Sequence, residues 1–142
     1  MAHPELLLVR HRKAMLGILI FFWALALTLT HWPCLEIPSE LDVGDKWMHR
    51  VGFAGLTSLL VLTLLAYQWK RPRRLLLVPC TLAIYGALDE LTQPWFGRTC
   101  DLADWKADMI GLALTLAAWE VAIYLISREW PACPAGRTSG WC

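Results

Sequence analysis

Leu75–Phe96 reads LLLVPCTLAIYGALDELTQPWF, and this stretch decides the fold. At 1.5 Å per residue it is long enough to cross about 30 Å of hydrocarbon as a helix. It shows no strand alternation, and an isolated apolar span must be helical to satisfy its own backbone groups. Its last third departs from the apolar pattern. Asp89, Glu90 and Gln93 follow more than ten mostly apolar residues, which puts them in the outer third of the span. Two adjacent carboxylates at that depth need partners, protons or water.

Three further apolar runs of similar length flank it. They cover Ala14 to Trp32, His49 to Trp69 and about Ala107 to Ile126. The 142-residue chain is 57% hydrophobic and only 18% charged, with mean hydropathy +0.45. A soluble domain of this size could not bury so much apolar surface. The expected fold is an all-α integral membrane protein, a four-transmembrane-helix bundle. Trp32, Trp47, Trp69, Trp95 and Trp130 fall near the ends of the runs, as an interfacial aromatic belt would place them. The first run has a basic start but is longer than a signal-peptide core, and no A-x-A-like site follows it, so it reads as a retained helix. A net charge of +1 and the lack of a basic stripe interleaved with aromatics argue against nucleic acid.

Loop charge sets an orientation. Nine of the 13 Lys and Arg residues fall on one side: Arg10, Arg12 and Lys13; Lys70, Arg71, Arg73 and Arg74; Arg128 and Arg137. Lys46, Arg50, Arg98 and Lys106 fall on the other. By the positive-inside rule both termini are cytoplasmic. The chain then divides into a basic cytoplasmic N-terminus (1–13), a four-helix membrane domain (14–126) and a flexible cytoplasmic tail (127–142). Three polar clusters share the outer face: Asp45-Lys46-x-x-His49, Asp89-Glu90-x-x-Gln93, and Arg98 with Asp101, Asp104 and Asp108.

Each cluster has a bland reading beside a chemical one. Asp45 and His49 share a helical face, so the carboxylate can orient the imidazole; equally, Asp45 can simply begin a helix. Asp89 and Gln93 share a face, with Glu90 within reach of Gln93. They form either a site or an inter-helix clamp to His49 or the fourth helix. Asp101, Asp104 and Asp108 line one helical stripe. Helix-start chemistry covers Asp101 well but Asp108 poorly, because Asp108 lies deeper in its span. Arg98 can neutralise this stripe or hold an anionic group. His49 with Glu90 is the expected proton-transfer pair, and Asp45, Lys46, Asp89, Gln93, Arg98, Asp104 and Asp108 are expected to contribute to binding. No compact metal-ligand motif, nucleophile elbow or phosphate-binding loop is present, so no metal is assigned and any cofactor is left open.

Glu120 lies about 18 Å beyond Asp108 along a helix, toward the other face, where it should snorkel or pair with a basic loop residue. Cys34 and Cys100 both fall in outward loops, where an oxidising compartment could join them. Cys133 and Cys142 lie in the Pro- and Gly-containing tail, with no zinc-site spacing.

Taken in order, these motifs resemble the VanZ-like family of bacterial membrane proteins. The matching positions are Asp45-Lys46-x-x-His49 with Phe53 just after, Leu88-Asp89-Glu90-x-x-Gln93, Arg98, and Asp104-x-x-x-Asp108-x-x-Gly111. The similarity runs from about Gly17 to Ile126. The family often has Asn where this chain has Asp108. The resemblance implies a multi-pass protein of the bacterial inner membrane, and its namesake is associated with low-level resistance to the glycopeptide teicoplanin. The expected function is an outward-facing polar pocket that binds or acts on a cell-envelope component. The ligand would be a membrane lipid or a lipid-linked or peptidoglycan-related anion. The alternative is a non-catalytic interaction or assembly subunit whose polar cluster is structural. The sequence leaves oligomeric state and enzymatic activity open.

Overall fold

Four helices make up the structure, a computed structural model that describes residues 8–32 and 42–129. They are α1 (Arg12–Thr30), α2 (Asp42–Ala66), α3 (Arg71–Thr92) and α4 (Leu102–Glu129), with a 3-10 turn at Gln93–Phe96 between the last two. All four are long and apolar enough to cross a membrane. Large apolar side chains face outward on each of them, among them Ile20, Val51, Leu76 and Leu114, which are 60%, 62%, 64% and 69% exposed. Exposed apolar surface on that scale is consistent with a membrane protein. The expected all-helical architecture is therefore present, with four helices long and apolar enough to span a membrane.

The helices run past the apolar spans at their polar ends. α2 begins at Asp42, not His49, and α4 at Leu102, not Ala107. At α4 this extension carries helix-start chemistry that hydropathy does not register. At α4, Asp101 Oδ1 accepts a 2.8 Å hydrogen bond from the Ala103 backbone N–H, so Asp101 acts as the cap that its position predicts. α3 starts four residues early, at Arg71, with Pro72 in its first turn, where a missing N–H costs nothing. Pro79, inside α3, leaves the Leu75 carbonyl without its usual helical donor.

The turns are tight. α2 ends in a Schellman-type arrangement: the Trp69 N–H donates to Leu64 O at 2.9 Å and the Gln68 N–H to Leu65 O at 2.8 Å. This puts Gln68 in the left-handed region, at φ 58°. The 3-10 turn after α3 ends at Gly97, with φ 79°, a conformation that glycine adopts without cost.

α2 packs most extensively against α4. The core is small: Phe53, Leu56 and Val61 of α2, Val78 and Leu82 of α3, and Leu112 of α4. α1 is peripheral, with Leu19 its only buried residue. Apolar burial does not drive helix association inside a bilayer, so close backbone approach and polar contacts must do so. The closest approach is at Gly111 of α4. A Cβ there would overlap the carbonyl oxygen of Arg50 and lie 3.0 Å from its Cα.

At the other end of the bundle Glu120 pairs with basic residues, one of the two fates expected for it. Arg74, 3% exposed, donates from Nη2 and Nε to Glu120 Oε1 at 2.6 and 3.0 Å, and Arg71 Nε donates to Oε2 at 2.8 Å. This ties α3 to α4. Trp32, Trp47, Trp69 and Trp95 are each at least 40% exposed. Cys100 carries a free, exposed thiol. Cys34, Cys133, Cys142 and Trp130 lie outside the described residues, as does the tail from residue 130.

Replacing Gly111 with Ala should force α2 and α4 apart. We expect a loss of about 1–3 kcal/mol, the usual range for overpacking, read as a lower melting temperature of the detergent-solubilised protein. An unchanged melting temperature would show that the approach at Gly111 does not hold the pair together.

Candidate functional site

Arg50 and Gly111 bring the N-terminal halves of α2 and α4 together, and with them two of the three polar clusters. His49, one residue before Arg50, faces Asp108, three before Gly111. Its Nδ1–H donates to Asp108 Oδ1 at 3.0 Å, and Nε2 lies 3.8 Å from Asp104 Oδ2. The side chains of His49 and Asp104 are 9% and 10% exposed, and that of Asp108 is 2% exposed. Asp104 and Asp108 thus share the inward stripe that their spacing predicts, and both address one imidazole.

The third cluster arrives from α3. Glu90 lies beside His49 and Asp108, and one ligand-capable atom from each of the three residues lies within 4.8 Å of the others. Glu90 Oε2 accepts from the Asp101 backbone N–H at 3.0 Å, which links α3 to the start of α4. The buried Gln93 amide donates to Glu90 Oε1 and to Asp89 Oδ2, each at 3.3 Å. The expected His49–Glu90 pair is therefore close, and Asp108 is a hydrogen-bond partner of the same imidazole. Gly86 makes room for this. A Cβ on it would lie 3.0 Å from Phe53 Cζ and 3.4 Å from Asp108 Oδ2.

Asp89 turns the other way, toward α1. Thr30 Oγ1 donates to Asp89 Oδ1 at 2.8 Å, His31 Nδ1 is 3.6 Å from the same oxygen, and His31 Nε2 is 2.9 Å from Thr92 Oγ1. The His31 ring also packs edge-on against Phe96, with centroids 4.7 Å apart. Sequence reasoning overlooked Thr30 and His31. The available signal was a His at the end of the first span, on the same face as the other clusters.

Arg98 does not neutralise the aspartate stripe. Its Nη1 donates to the Thr30 carbonyl at the end of α1, at 3.2 Å, and among the described residues it pairs with no carboxylate. Lys46 is half-buried in the first turn of α2. Asp45 lies on α2 one turn before His49, and its side chain is outside the described set.

Beside this polar end, between α1 and α2, runs a cleft of about 380 Å³. Leu25 and Leu29 form one wall, and Gly52, Gly55 and Leu56 the other. His49, Thr30 and Arg98 line the same cleft. Cβ atoms added at Gly52 or Gly55 would meet nothing within 4 Å. An apolar channel joined to a few convergent polar groups is the common form of a ligand site. A His hydrogen-bonded to a carboxylate, with a second carboxylate close by, is equipped to move protons or to bind a cation.

Fold and site together define a class: a four-helix protein able to span a membrane, with carboxylates, an imidazole and a guanidinium gathered at one end of an apolar cleft. No protein-family model, curated protein or solved structure matches the chain.

Thr30 and Asp89 form the tie between α1 and α3. Replacing Thr30 with Val leaves a buried carboxylate oxygen short of a donor and should cost about 1–3 kcal/mol. A thermal melt of Thr30→Val and of Thr30→Val/Asp89→Asn checks this. The double variant should recover part of the loss, whereas simple additivity would show that the two residues do not communicate.

Proposed function

We propose that this chain is a VanZ-like integral membrane protein with both termini in the cytoplasm, and that its polar cleft opens on the outer face of the membrane. There it binds, or acts on, an anionic amphiphile of the cell envelope, either a lipid-linked or a peptidoglycan-related anion. A contribution to glycopeptide tolerance would follow from engaging such a component.

The observation that carries this reading is Arg98. An Arg that pairs with no carboxylate among the described residues, despite four buried ones nearby, keeps a fork of donors for an external anion. It lines the same cleft as Leu25, Leu29 and Leu56, so one ligand can place a charged head at Arg98 and an apolar chain between α1 and α2. Lys46, on the first turn of α2, adds positive charge at this end. If chemistry follows, His49 is the proton carrier, oriented by Asp108, with Glu90 as the second acid–base group. The bacterial inner membrane is the location that this reading requires.

A second reading is favoured by the bonds themselves. Thr30–Asp89, Asp101–Glu90 and His49–Asp108 all join different segments, as structural ties in an assembly subunit would. The two readings part on which property a substitution changes.

The test is retention of a polyprenyl phosphate by the purified protein in native mass spectrometry, with phosphatidylcholine as the control lipid. Arg98→Ala should cut the retained fraction about tenfold, the effect of losing one charge-assisted contact of roughly 1.4 kcal/mol. Gly52→Leu, which extends a side chain into open cleft space, should do the same. Both variants should melt with the wild type. Equal retention by all three proteins, or loss of retention only alongside a fall in melting temperature, would favour the structural reading.

A further inference from the structure

We propose that His49, Glu90 and Asp108 form a binding site for one divalent transition-metal ion, Mn²⁺ or Zn²⁺. The three come from α2, α3 and α4, and one ligand-capable atom of each lies within 4.8 Å of the other two. Ligands about 2.0–2.2 Å from a common ion lie roughly 3–4.4 Å apart, so a small inward adjustment of side chains completes the coordination. No short sequence motif could reveal this trio, because its members are 41 and 18 residues apart in the chain.

The donor set points to the class of ion. One imidazole with two carboxylates suits Mn²⁺ and Zn²⁺. Ca²⁺ and Mg²⁺ favour cages made of oxygen alone.

Charge gives an independent reason. Glu90 and Asp108 are 4% and 2% exposed, yet neither pairs with a Lys or Arg among the described residues. Glu90 is held by two neutral donors, the Gln93 amide and the Asp101 N–H. Asp108 has only the His49 ring, and no described residue donates to its second oxygen, Oδ2. Two buried carboxylates with this little compensation favour a dication between them. The outer supports are already in place: Gln93 and the Asp101 N–H fix Glu90, much as groups around a metal centre fix its ligands. Asp104 Oδ2, 3.8 Å from His49 Nε2, stands at the edge as a further oxygen donor. Three protein ligands leave room in the coordination shell for water or for a ligand oxygen. His49 also lines the cleft, which supplies the route in.

The site shares His49 with the proposed amphiphile cleft but does not depend on that ligand. The experiment is titration of chelator-stripped, detergent-purified protein with Mn²⁺ by calorimetry, chosen because Mn²⁺ has little affinity for the exposed cysteines. Wild type should bind one ion per chain and gain melting temperature as it does so. Asp108→Asn and His49→Gln should each weaken binding at least about tenfold, the usual effect of losing a metal-site group, and should abolish the Mn²⁺-induced rise in melting temperature. Gly52→Leu should bind Mn²⁺ like wild type while losing the amphiphile, which separates the two proposals. Absence of Mn²⁺ binding by wild type would overturn the inference. So would equal binding by wild type, Asp108→Asn and His49→Gln.

Discussion

The approach of α2 to α4 at Arg50 and Gly111 is the constraint on which the rest depends. With no side chain at position 111, the backbone of α4 can rest on that of Arg50, a separation that any Cβ would forbid. The residues on either side are thereby brought into register. His49 meets Asp108 and, at its far nitrogen, Asp104, while Phe53 and Leu112 enter the core. Gly86 repeats the device on α3 by admitting the Phe53 ring and leaving Asp108 room beside it. Two glycines therefore place the polar residues of the candidate site, although neither carries chemistry of its own.

The bundle is fastened by polar contacts at both ends. Arg74 and Arg71 grip Glu120 at one end. At the other, Glu90 receives the Asp101 N–H, and Asp89 receives Thr30. In hydrocarbon such contacts do work that apolar burial cannot. They also explain why α1, with so little buried surface, stays attached: the Thr30–Asp89 and His31–Thr92 contacts hold its end. Between these ties and the core, α1 and α2 leave the cleft. The cleft is apolar along its length and charged at one end, and that asymmetry is what an amphiphile would match.

Much of this was legible in the sequence. The four spans follow from hydropathy, and Asp108 stood out because a helix start does not explain a carboxylate that deep. Glu90 and Gln93 were marked by their depth in α3. What stayed hidden was pairing. Nothing local says that His49 meets Asp108, because that contact is set by the approach at Gly111, which joins residues 61 positions apart. Thr30 and His31 were missed since an isolated Thr or His at a span end is ordinary, and only the fold puts Asp89 opposite. For Arg98 the sequence allowed the aspartate stripe or a ligand anion; after the Gly97 turn it meets the α1 terminus and no described carboxylate. The apolar spans are shorter than the helices because polar first turns carry no hydropathic signal.

The central claim is that this polar end is built to act on something, not merely to hold helices together. Groups kept for function tend to be held at a cost to stability. The most direct measurement is the melting temperature of Glu90→Gln in detergent. The substitution removes a buried charge and keeps an acceptor for the Asp101 N–H, so the account predicts a melting temperature equal to or above that of wild type. A clear fall, by several degrees, would mean that the Glu90 charge itself is there to hold α3 to α4, and would contradict the account.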